Sequence, residues 1–130
     1  MNQLSSGQWP RAGVHSVDHF AFSVPDLDEA QRFYTSFGLD VRRDGERLDL
    51  HTFGHPHRWA SVYAGGPRKR LEYVSFGIHA QDLPEMQERI ARLGFATTPH
   101  PLSDGQGLWL RNPDGTSLQL QVSPKVSPAE

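Results

Sequence analysis

The sequence predicts an α+β fold in which two βαβββ modules form a curved mixed sheet around one cavity. The first observation is an alternating segment at residues 17–24, VDHFAFSV, which carries one histidine and is followed at once by a helical pattern. The second is a similar segment at residues 71–78, LEYVSFGI, which is again followed by a helical pattern. The third is the length of 130 residues, which suits one domain with a substantial core.

The first module begins with a strand whose side chains alternate between two faces. Phe20, Phe22 and Val24 fall on one face, and Val17, His19, Ala21 and Ser23 fall on the other. Asp26 then predicts a helix N-cap, with Glu29 three residues later as in a capping box, and Gly38 predicts the helix end. Short strands are expected around 39–43, 47–53 and 58–64, with Asp44-Gly45 as the turn between the first two.

The second module repeats this order. After the strand at 71–78, Asp82 predicts a helix start with Pro84 in the first turn, and Gly94 predicts the end. The apolar stripe of this helix is Leu83, Met86, Ile90 and Leu93. Three strands are expected around 95–99, 107–111 and 116–122, with a turn at Pro113-Asp114-Gly115.

Composition excludes several classes of function. The formal net charge of −2 gives no electrostatic reason to expect nucleic acid or a membrane surface as partner. The chain has no cysteine, which excludes disulfides and thiolate chemistry. No apolar run approaches the roughly 20 residues that span a bilayer, and no signal pattern opens the chain. We therefore expect a cytoplasmic protein.

The expected organisation is a single domain with a loose segment at either end. Residues 1–13 are polar and interrupted by Gly and Pro, which predicts a flexible leader. The domain covers 14–122, with modules at 14–66 and 67–122. Residues 123–130 predict a tail or a linker.

The sheet face away from the helices is expected to carry polar side chains on three strands. They are His19 and Ser23, Tyr73 and Ser75, and Ser117, Gln119 and Gln121. Such stripes indicate a concave surface that is open to a ligand. An antiparallel sheet with one solvent-covered face gives the same pattern, so both interpretations stay open at this point.

Paired βαβββ modules with a histidine on the first strand resemble the vicinal oxygen chelate superfamily, which includes glyoxalase I, the fosfomycin and bleomycin resistance proteins and the type I extradiol dioxygenases. The resemblance covers residues 14–122. It rests on the His19 strand, the helix ending in FGL at 37–39, the repeated strand and helix, and the segment NPDGTSLQL at 112–120. The run from His57 through GPRKRL into VSF looks most like extradiol ring-cleaving dioxygenases. The fold implied is the glyoxalase/bleomycin resistance/dihydroxybiphenyl dioxygenase fold.

The resemblance also implies a divalent metal site with three protein ligands: the first-strand histidine, its equivalent in the second module and a glutamate of the last strand. Here those positions hold His19, Tyr73 and Gln119. His19 and Gln119 are the candidate ligands, whereas Tyr73 would have to ionise from a pKa of about 10. The implied metal is Fe(II), with Zn(II) or Mn(II) as alternatives. The other interpretation is that no metal binds and that His19 is a hydrogen-bonded histidine of a pocket or core.

In the extradiol enzymes, the resemblance places His57 and His100 near the acid-base and substrate-contacting histidines. They are the candidate catalytic residues. His57 also belongs to a cluster with His51 and His55, but Gly54 and Pro56 place this cluster in a loop. Polar surface, adventitious metal binding and catalysis all remain open for it.

The candidate ligand pocket is aromatic. Its predicted members are Trp59, Tyr63, Tyr73, Trp109 and Gln121, which are expected on the concave face. Aromatic walls around a few polar groups are typical of small-molecule pockets, which implies a small aromatic molecule as partner. The same aromatic residues would equally suit the interface of a homodimer, which is common in the superfamily. The basic run 68–70 predicts a solvated turn or a minor anion contact.

Three hypotheses follow. The chain is an extradiol-dioxygenase-like enzyme with an incomplete metal site, in which His19 and Gln119 are ligands and His57 or His100 is the acid-base group. Alternatively, it is a metal-free protein that binds an aromatic small molecule, as bleomycin-resistance-type members do. The third hypothesis is a non-catalytic N-terminal half of a two-domain extradiol dioxygenase, a half that in those enzymes lacks the metal and supports the fold.

Overall fold

The structure is a computed structural model that describes residues 12–94 and 97–125. Its strands are β1 (Val14–Val24), β2 (Asp40–Asp44), β3 (Arg47–His51), β4 (Ala60–Ala64), β5 (Arg70–Ile78), β6 (Leu108–Arg111) and β7 (Ser117–Val122). Its helices are α1 (Leu27–Ser36) and α2 (Leu83–Leu93), the second preceded by a 3-10 turn at Ala80–Asp82. No helix among these residues is long and apolar enough to cross a membrane. Most of the predicted leader (1–11) and of the predicted tail (126–130) lies outside the described residues.

All seven strands form one mixed sheet in the order β2-β3-β4-β1-β5-β7-β6. The two central strands, β1 and β5, pair antiparallel. Each also pairs in parallel with the last strand of its own module, β1 with β4 and β5 with β7. The modules are therefore related as two halves that meet at the β1–β5 seam, as the repeat in the sequence predicts.

The strand expected at 95–99 is not found among the described residues of that stretch. Thr97–Pro99 have no strand pairing, and residues 95 and 96 lie outside the described part of the chain. Pro99 and Pro101 cannot donate ladder hydrogen bonds, which gives a physical reason for an irregular segment here. The segment leading into β6 is instead a loop, whose Leu102 carbonyl accepts a hydrogen bond from the Tyr63 hydroxyl at 3.3 Å.

Helix α1 begins and ends where its capping residues predict, whereas the predicted Asp82 cap of α2 makes no side-chain hydrogen bond, because a 3-10 turn leads into this helix. The Asp26 carboxylate accepts a hydrogen bond from the Glu29 backbone N–H at 3.0 Å, which satisfies a free donor in the first turn of α1. Helix α2 ends at Gly94, whose φ of 71° is the left-handed conformation that glycine adopts at low cost. Each helix covers one apolar cluster on the same face of the sheet.

The cores of the two modules are separate. The cluster under α1 contains the buried residues Val24, Leu27, Leu48, Leu50, Ala60 and Val62. The cluster under α2 contains Ala12, Ile78, Met86, Ile90 and Leu120. Both form because alternate side chains of the strands point toward a helix that is apolar on one side only.

The predicted faces of β1 need two corrections, because the strand contains irregularities. Val17 pairs with Phe76, a residue of the α2 cluster, so Val17 lies on the helix side rather than with His19. The register shifts between Val17 and His19, as a β-bulge does, and an alternating pattern cannot reveal such a shift. Alternation predicts that Phe20 shares a face with Phe22 and Val24, yet Phe20 is 45% exposed and belongs to neither apolar cluster.

Candidate functional site

Three neighbouring strands place His19, Ser75 and Gln119 in one row on the sheet face opposite the helices. His19 of β1 pairs with Ser75 of β5, which pairs with Gln119 of β7. The three residues are only 2%, 0% and 3% exposed. The polar face of the sheet is therefore mostly covered rather than solvated, although the residues share the face that alternation predicts.

His19 is fixed by hydrogen bonds at both ring nitrogens. Its Nδ1 lies 2.7 Å from the Asp18 carboxylate, and its Nε2 lies 3.1 Å from Nη2 of Arg58. The same Nη2 also lies 3.5 Å from Nδ1, so the guanidinium lies beside the ring rather than along the Nε2 lone pair. The Tyr73 hydroxyl lies 3.3 Å from Nε2, and Nδ1 carries the proton that it donates to the Asp18 carboxylate. Burial raises the pKa of the Asp18 carboxyl, but the hydrogen bond from His19 and the attraction of the neighbouring imidazoles outweigh burial and hold the pKa below 3.8.

Arg58 links His19 to a second polar chain. Its Nη1 donates to the Ser61 hydroxyl at 3.0 Å, and Ser61 in turn donates to the Asp49 carboxylate at 3.1 Å. Arg58 itself makes no ion pair with any carboxylate of residues 12–94 and 97–125. The Asp18 carboxylate lies one hydrogen bond beyond His19 and the Asp49 carboxylate one beyond Ser61, and Asp104 lines the same cavity as Arg58.

Tyr73 is a phenol and not a tyrosinate at neutral pH. It is 4% exposed, and burial raises its pKa to about 12. Its hydroxyl lies 3.3 Å from His19 Nε2, and its ring packs edge-on against Trp109 with centroids 5.1 Å apart. The aromatic pair forms a small buried cluster with Ala21.

The two polar atoms of the Gln119 side-chain amide differ: the nitrogen is hydrogen-bonded, and the oxygen is unpaired among the described residues. Its Nε2 donates to the Gln106 carbonyl at 3.0 Å, which fixes the orientation of the amide. Its buried Oε1 has no hydrogen-bond partner among the described residues, and the same holds for the Ser75 hydroxyl. Together with His19 and Arg58, Gln119 lines a cavity of about 130 Å³, which we call the His19 cavity.

The side chains present do not fit a divalent metal. The described residues contain no group of three His, Asp, Glu or Cys side chains that could hold an ion. Of the implied ligands, only His19 has a good donor atom, and the Arg58 guanidinium lies 3.1 Å from its Nε2, where its positive charge would repel a metal cation. Tyr73 keeps its proton, and the Gln119 amide is a weak neutral oxygen ligand.

The predicted histidine residues lie at the margins of this site. His57 Nε2 is 2.7 Å from the Asp18 carbonyl oxygen, so this nitrogen donates to the backbone. His55 Nδ1 accepts from the His57 backbone N–H at 3.1 Å, and the two rings pack edge to face. His51 is buried at the end of β3. The three histidine side chains contact different groups, so they do not form one common site.

His100 belongs to a second cluster around a buried carboxylate. Glu72 is 8% exposed and accepts from Ser23 Oγ at 2.7 Å, from His100 Nε2 at 3.2 Å and from Arg70 Nε at 3.2 Å. Burial raises the pKa of the Glu72 carboxyl, but the hydrogen bonds from Ser23 and Arg70 and the nearby His100 outweigh burial and hold it below 4.5. These residues line a larger cavity of about 670 Å³, the Glu72 cavity.

The predicted pocket residues divide into two groups. Tyr63, Tyr73 and Gln121 line the His19 cavity, and Gln121 donates to the Asp18 carboxylate at 2.8 Å. Trp109 is 3% exposed and packs behind Tyr73. Trp59 lies apart, against His55 and His57, with its indole N–H on Thr52.

Two residues of these sites, Arg58 and Glu72, are not predicted by any pattern in the sequence. Arg58 stands in a loop, and Glu72 stands in a strand whose register shifts beside it. Neither position indicates which way the side chain points. A buried partner for a lone arginine or glutamate is visible only once the strands are paired.

Comparison with known proteins decides the family. The family model described as Glyoxalase/Bleomycin resistance protein/Dioxygenase superfamily matches residues 16–120, which is most of the chain. This chain belongs to that superfamily. The predicted resemblance and the predicted α+β fold with a curved open sheet are both confirmed.

Two known proteins match most of this chain. Metapyrocatechase 2 of Cupriavidus necator is 40% identical over 121 residues, which is 92% of this chain but 37% of that protein. Metallothiol transferase FosB of Shouchella clausii (strain KSM-K16) is 23% identical over 118 residues, 84% of this chain and 81% of that protein. This superfamily chain thus spans little more than a third of the metapyrocatechase.

Solved structures of superfamily members share the fold. The 2,3-dioxygenase LapB from Pseudomonas sp. KL28 superposes with a TM-score of 0.71 at 20% identity, over 87% of this chain and 42% of that one. A Mn(II)-bound glyoxalase from Novosphingobium aromaticivorans gives a TM-score of 0.68 at 15% identity, over 92% and 44%. A divalent metal is therefore found on this fold in another protein.

Proposed function

We propose that this chain is a metal-free half of an extradiol-dioxygenase-like protein, with a supporting rather than a catalytic role. One observation carries the proposal: the Arg58 guanidinium lies 3.1 Å from Nε2 of His19, the atom that a metal would need. The partial coverage of Metapyrocatechase 2 supports it, because a chain of this length corresponds to a fraction of such a protein.

A supporting role agrees with how the site is built. The hydrogen bonds from Arg58 run within the first module, to His19 of β1 and Ser61 of β4. The contact between His19 Nε2 and Tyr73 of β5 crosses the β1–β5 seam between modules. Buried hydrogen bonds such as those among Asp18, His19, Arg58 and Ser61 make a fold rigid and specific. In this proposal the network links the two modules without a metal.

Metal analysis tests the proposal directly. Untagged protein is loaded anaerobically with Fe(II), and separately with Mn(II) and Zn(II), then desalted and analysed for metal beside His19→Ala. We expect no stoichiometric metal in either protein. Near-stoichiometric metal that His19→Ala abolishes would refute the metal-free role, and the chain would then be tested as an enzyme on catechols.

A second candidate is binding of a small aromatic molecule, and the Glu72 cavity favours it. Its volume of about 670 Å³ lies in the range of small-molecule pockets, and its lining includes His100 and Ser23. The His19 cavity, at about 130 Å³, has room for only about four water-sized groups. A titration with catechol and benzoate, followed by intrinsic fluorescence in His100→Ala and wild-type protein, tests this candidate.

The remaining assignments stay predictions. Acid-base roles of His57 and His100 would require these side chains to leave the hydrogen bonds that they make with Asp18 and Glu72. A homodimer and a cytoplasmic location are also part of the proposal. Light scattering on the purified chain at several concentrations tests the first, and fractionation of the producing cells tests the second.

A further inference from the structure

The face of the sheet that carries the helices is apolar and partly exposed along the β1–β5 seam. Three pairs of facing residues line it: Val17 with Phe76, Phe20 with Val74, and Phe22 with Leu71. We call these six residues the seam strip. Phe22 packs against the cluster under α1 and Phe76 against the cluster under α2, so the strip lies between the cores of the two modules. Val17 and Phe20 are each 45% exposed, and Leu71 is 50% exposed.

Helix α1 carries a second exposed apolar feature next to the seam strip. The rings of Phe33 and Phe37 stack with their centroids 5.9 Å apart, and the two residues are 58% and 73% exposed. We call this pair the α1 ridge. Tyr34 links the ridge to the strip, because its ring packs edge-on against Phe33 at 5.3 Å and against Phe22 at 6.3 Å. The strip and the ridge therefore form one continuous apolar surface, and large exposed apolar surfaces mark sites of interaction.

Two charges of opposite sign flank this surface. Lys69 Nζ lies 4.7 Å from the centre of the Phe22 ring, at the seam strip. Glu29 lines a cavity of about 320 Å³ together with Phe33 and Tyr34, at the α1 ridge. Among residues 12–94 and 97–125, neither Lys69 nor Glu29 takes part in an ion pair. A cation beside the strip and an anion beside the ridge complement each other when two copies face one another across a twofold axis.

The apolar area of this surface suits a dimer interface. Its most exposed large side chains, two aliphatic and three aromatic, leave on the order of 500 Å² open to solvent, on the scale of about 150–250 Å² for one whole aromatic side chain. A dimer of standard size buries about 800 Å² on each partner, and about 65% of a homodimer interface is apolar. The exposed area is therefore close to the apolar area that one copy contributes to such a dimer.

We propose that the seam strip binds the α1 ridge of a second copy of this chain, in a twofold-symmetric dimer in which each copy contributes both surfaces. Lys69 of each copy then meets Glu29 of the other copy at the edge of the apolar contact. The inference rests on the homodimer of the proposed function and deepens it by naming the surface. It includes no residue that lines the His19 cavity, so it is independent of the metal-free role.

Sedimentation velocity over a range of protein concentrations measures the dissociation constant of the dimer. Phe33→Gln should weaken dimerisation on the order of a hundredfold, because the symmetry of the dimer removes the apolar contact twice. Leu93→Gln is the matched control: Leu93 is also 58% exposed, but it lies on α2 outside the surface, so the dissociation constant should stay unchanged. Circular dichroism and the unfolding midpoint of each variant establish that it is folded.

Disulfide cross-linking tests the orientation of the two copies, because the chain has no cysteine of its own. Glu29→Cys protein is mixed with Lys69→Cys protein and oxidised mildly. We expect more cross-linked dimer in this mixture than in either variant alone. Glu88→Cys, which changes an exposed side chain of α2, is mixed with Lys69→Cys as the control and should give little cross-linked dimer.

Three results would overturn the inference: a monomer at every concentration, a dissociation constant that folded Phe33→Gln leaves unchanged, or no excess of cross-linked dimer in the first mixture. A monomer would also remove the homodimer from the proposed function, whereas the other two results would leave a dimer with a different interface. None of the three bears on the metal-free role, which the metal analysis tests.

Discussion

Restoring the metal ligands should require the removal of Arg58 as well. Tyr73→His and Gln119→Glu would place two histidines and one carboxylate on the strands that the superfamily uses for its metal site. His19 is already oriented for this role, since the Asp18 carboxylate holds its Nδ1 at 2.7 Å, as carboxylates hold metal-binding histidines. The double variant still has a guanidinium 3.1 Å from Nε2. We therefore predict that only the triple variant with Arg58→Ala binds a divalent metal tightly.

The size of the effect follows from Coulomb's law. Two unit charges about 4 Å apart interact by about 4 kcal/mol at an effective dielectric constant of about 20, so a divalent ion beside Arg58 would be disfavoured by about 8 kcal/mol. Movement of the long arginine side chain toward solvent relieves most of this repulsion. We expect about 3–4 kcal/mol to remain, equivalent to a Kd for Mn(II) about 100–1,000-fold weaker in the double than in the triple variant.

Mn(II) titration followed by electron paramagnetic resonance measures this difference, because free and bound Mn(II) give distinct signals. The matched control carries Tyr73→His, Gln119→Glu and Arg42→Ala, which removes an exposed arginine rather than Arg58. It should bind as weakly as the double variant. Equal affinities in the double and the Arg58→Ala triple, with both folded by circular dichroism, would refute the assignment of metal exclusion to Arg58.

Three further substitutions test the energetics of the fold, each by urea unfolding. Glu72→Gln should lower the free energy of unfolding at pH 7 by about 1–3 kcal/mol, because the groups that donate to Glu72 lose a buried carboxylate. Glu46→Gln, in an exposed turn, is the control and should leave the free energy of unfolding almost unchanged. The pKa of Glu72 is lowered below 4.5 in the folded state, so the stability difference between wild type and Glu72→Gln should persist above that pH and shrink as pH falls below 4.5. A stability difference that stays constant to low pH would show that the ionised carboxylate is not its cause. Gly107→Ala should destabilise by about 1–3 kcal/mol more than Gly105→Ala, since overpacking is added to backbone strain. Both glycines have similar positive φ, 77° and 78°, but only at Gly107 would a Cβ meet a backbone atom, the Leu120 carbonyl oxygen at 2.6 Å. Equal losses would show that backbone conformation alone matters. Asp26→Ala should lower the free energy of unfolding by about 0.5–2 kcal/mol through the lost N-cap, whereas Asp26→Asn should retain most of the stability. Identical losses in the two variants would show that the N-cap hydrogen bond does not stabilise α1.

The fold could be predicted because its determinants are local and repeated. Capping residues such as Asp26 and Gly94 indicate the helix ends, and alternation places His19 and Gln119 on one face. The exceptions arise where the backbone departs from a regular strand. The irregularity near Val17 reverses its face, and the register shift beside Glu72 brings its carboxylate to Ser23. A period of two residues contains no information about either shift.

The candidate site could be predicted only in part, because its deciding residue enters from a loop. The row of His19, Ser75 and Gln119 follows from strand pairing that the sequence repeat implies. Arg58 lies in the loop of residues 52–59 between β3 and β4, where no periodicity predicts the direction of a side chain. The histidines around the same loop were the more conspicuous candidates, yet the neighbouring arginine is the side chain that reaches the centre.

The choice of arginine at this position has a physical reason. Without a metal, His19 would keep a buried Nε2 lone pair and an ionised Asp18 behind its ring, an arrangement that attracts a cation. Lysine would supply a single compact charge, whereas the planar guanidinium reaches His19 and Ser61 at once and keeps further N–H groups for another acceptor. The Arg58 guanidinium therefore places a positive charge and N–H donors beside the His19–Asp18 pair without a metal.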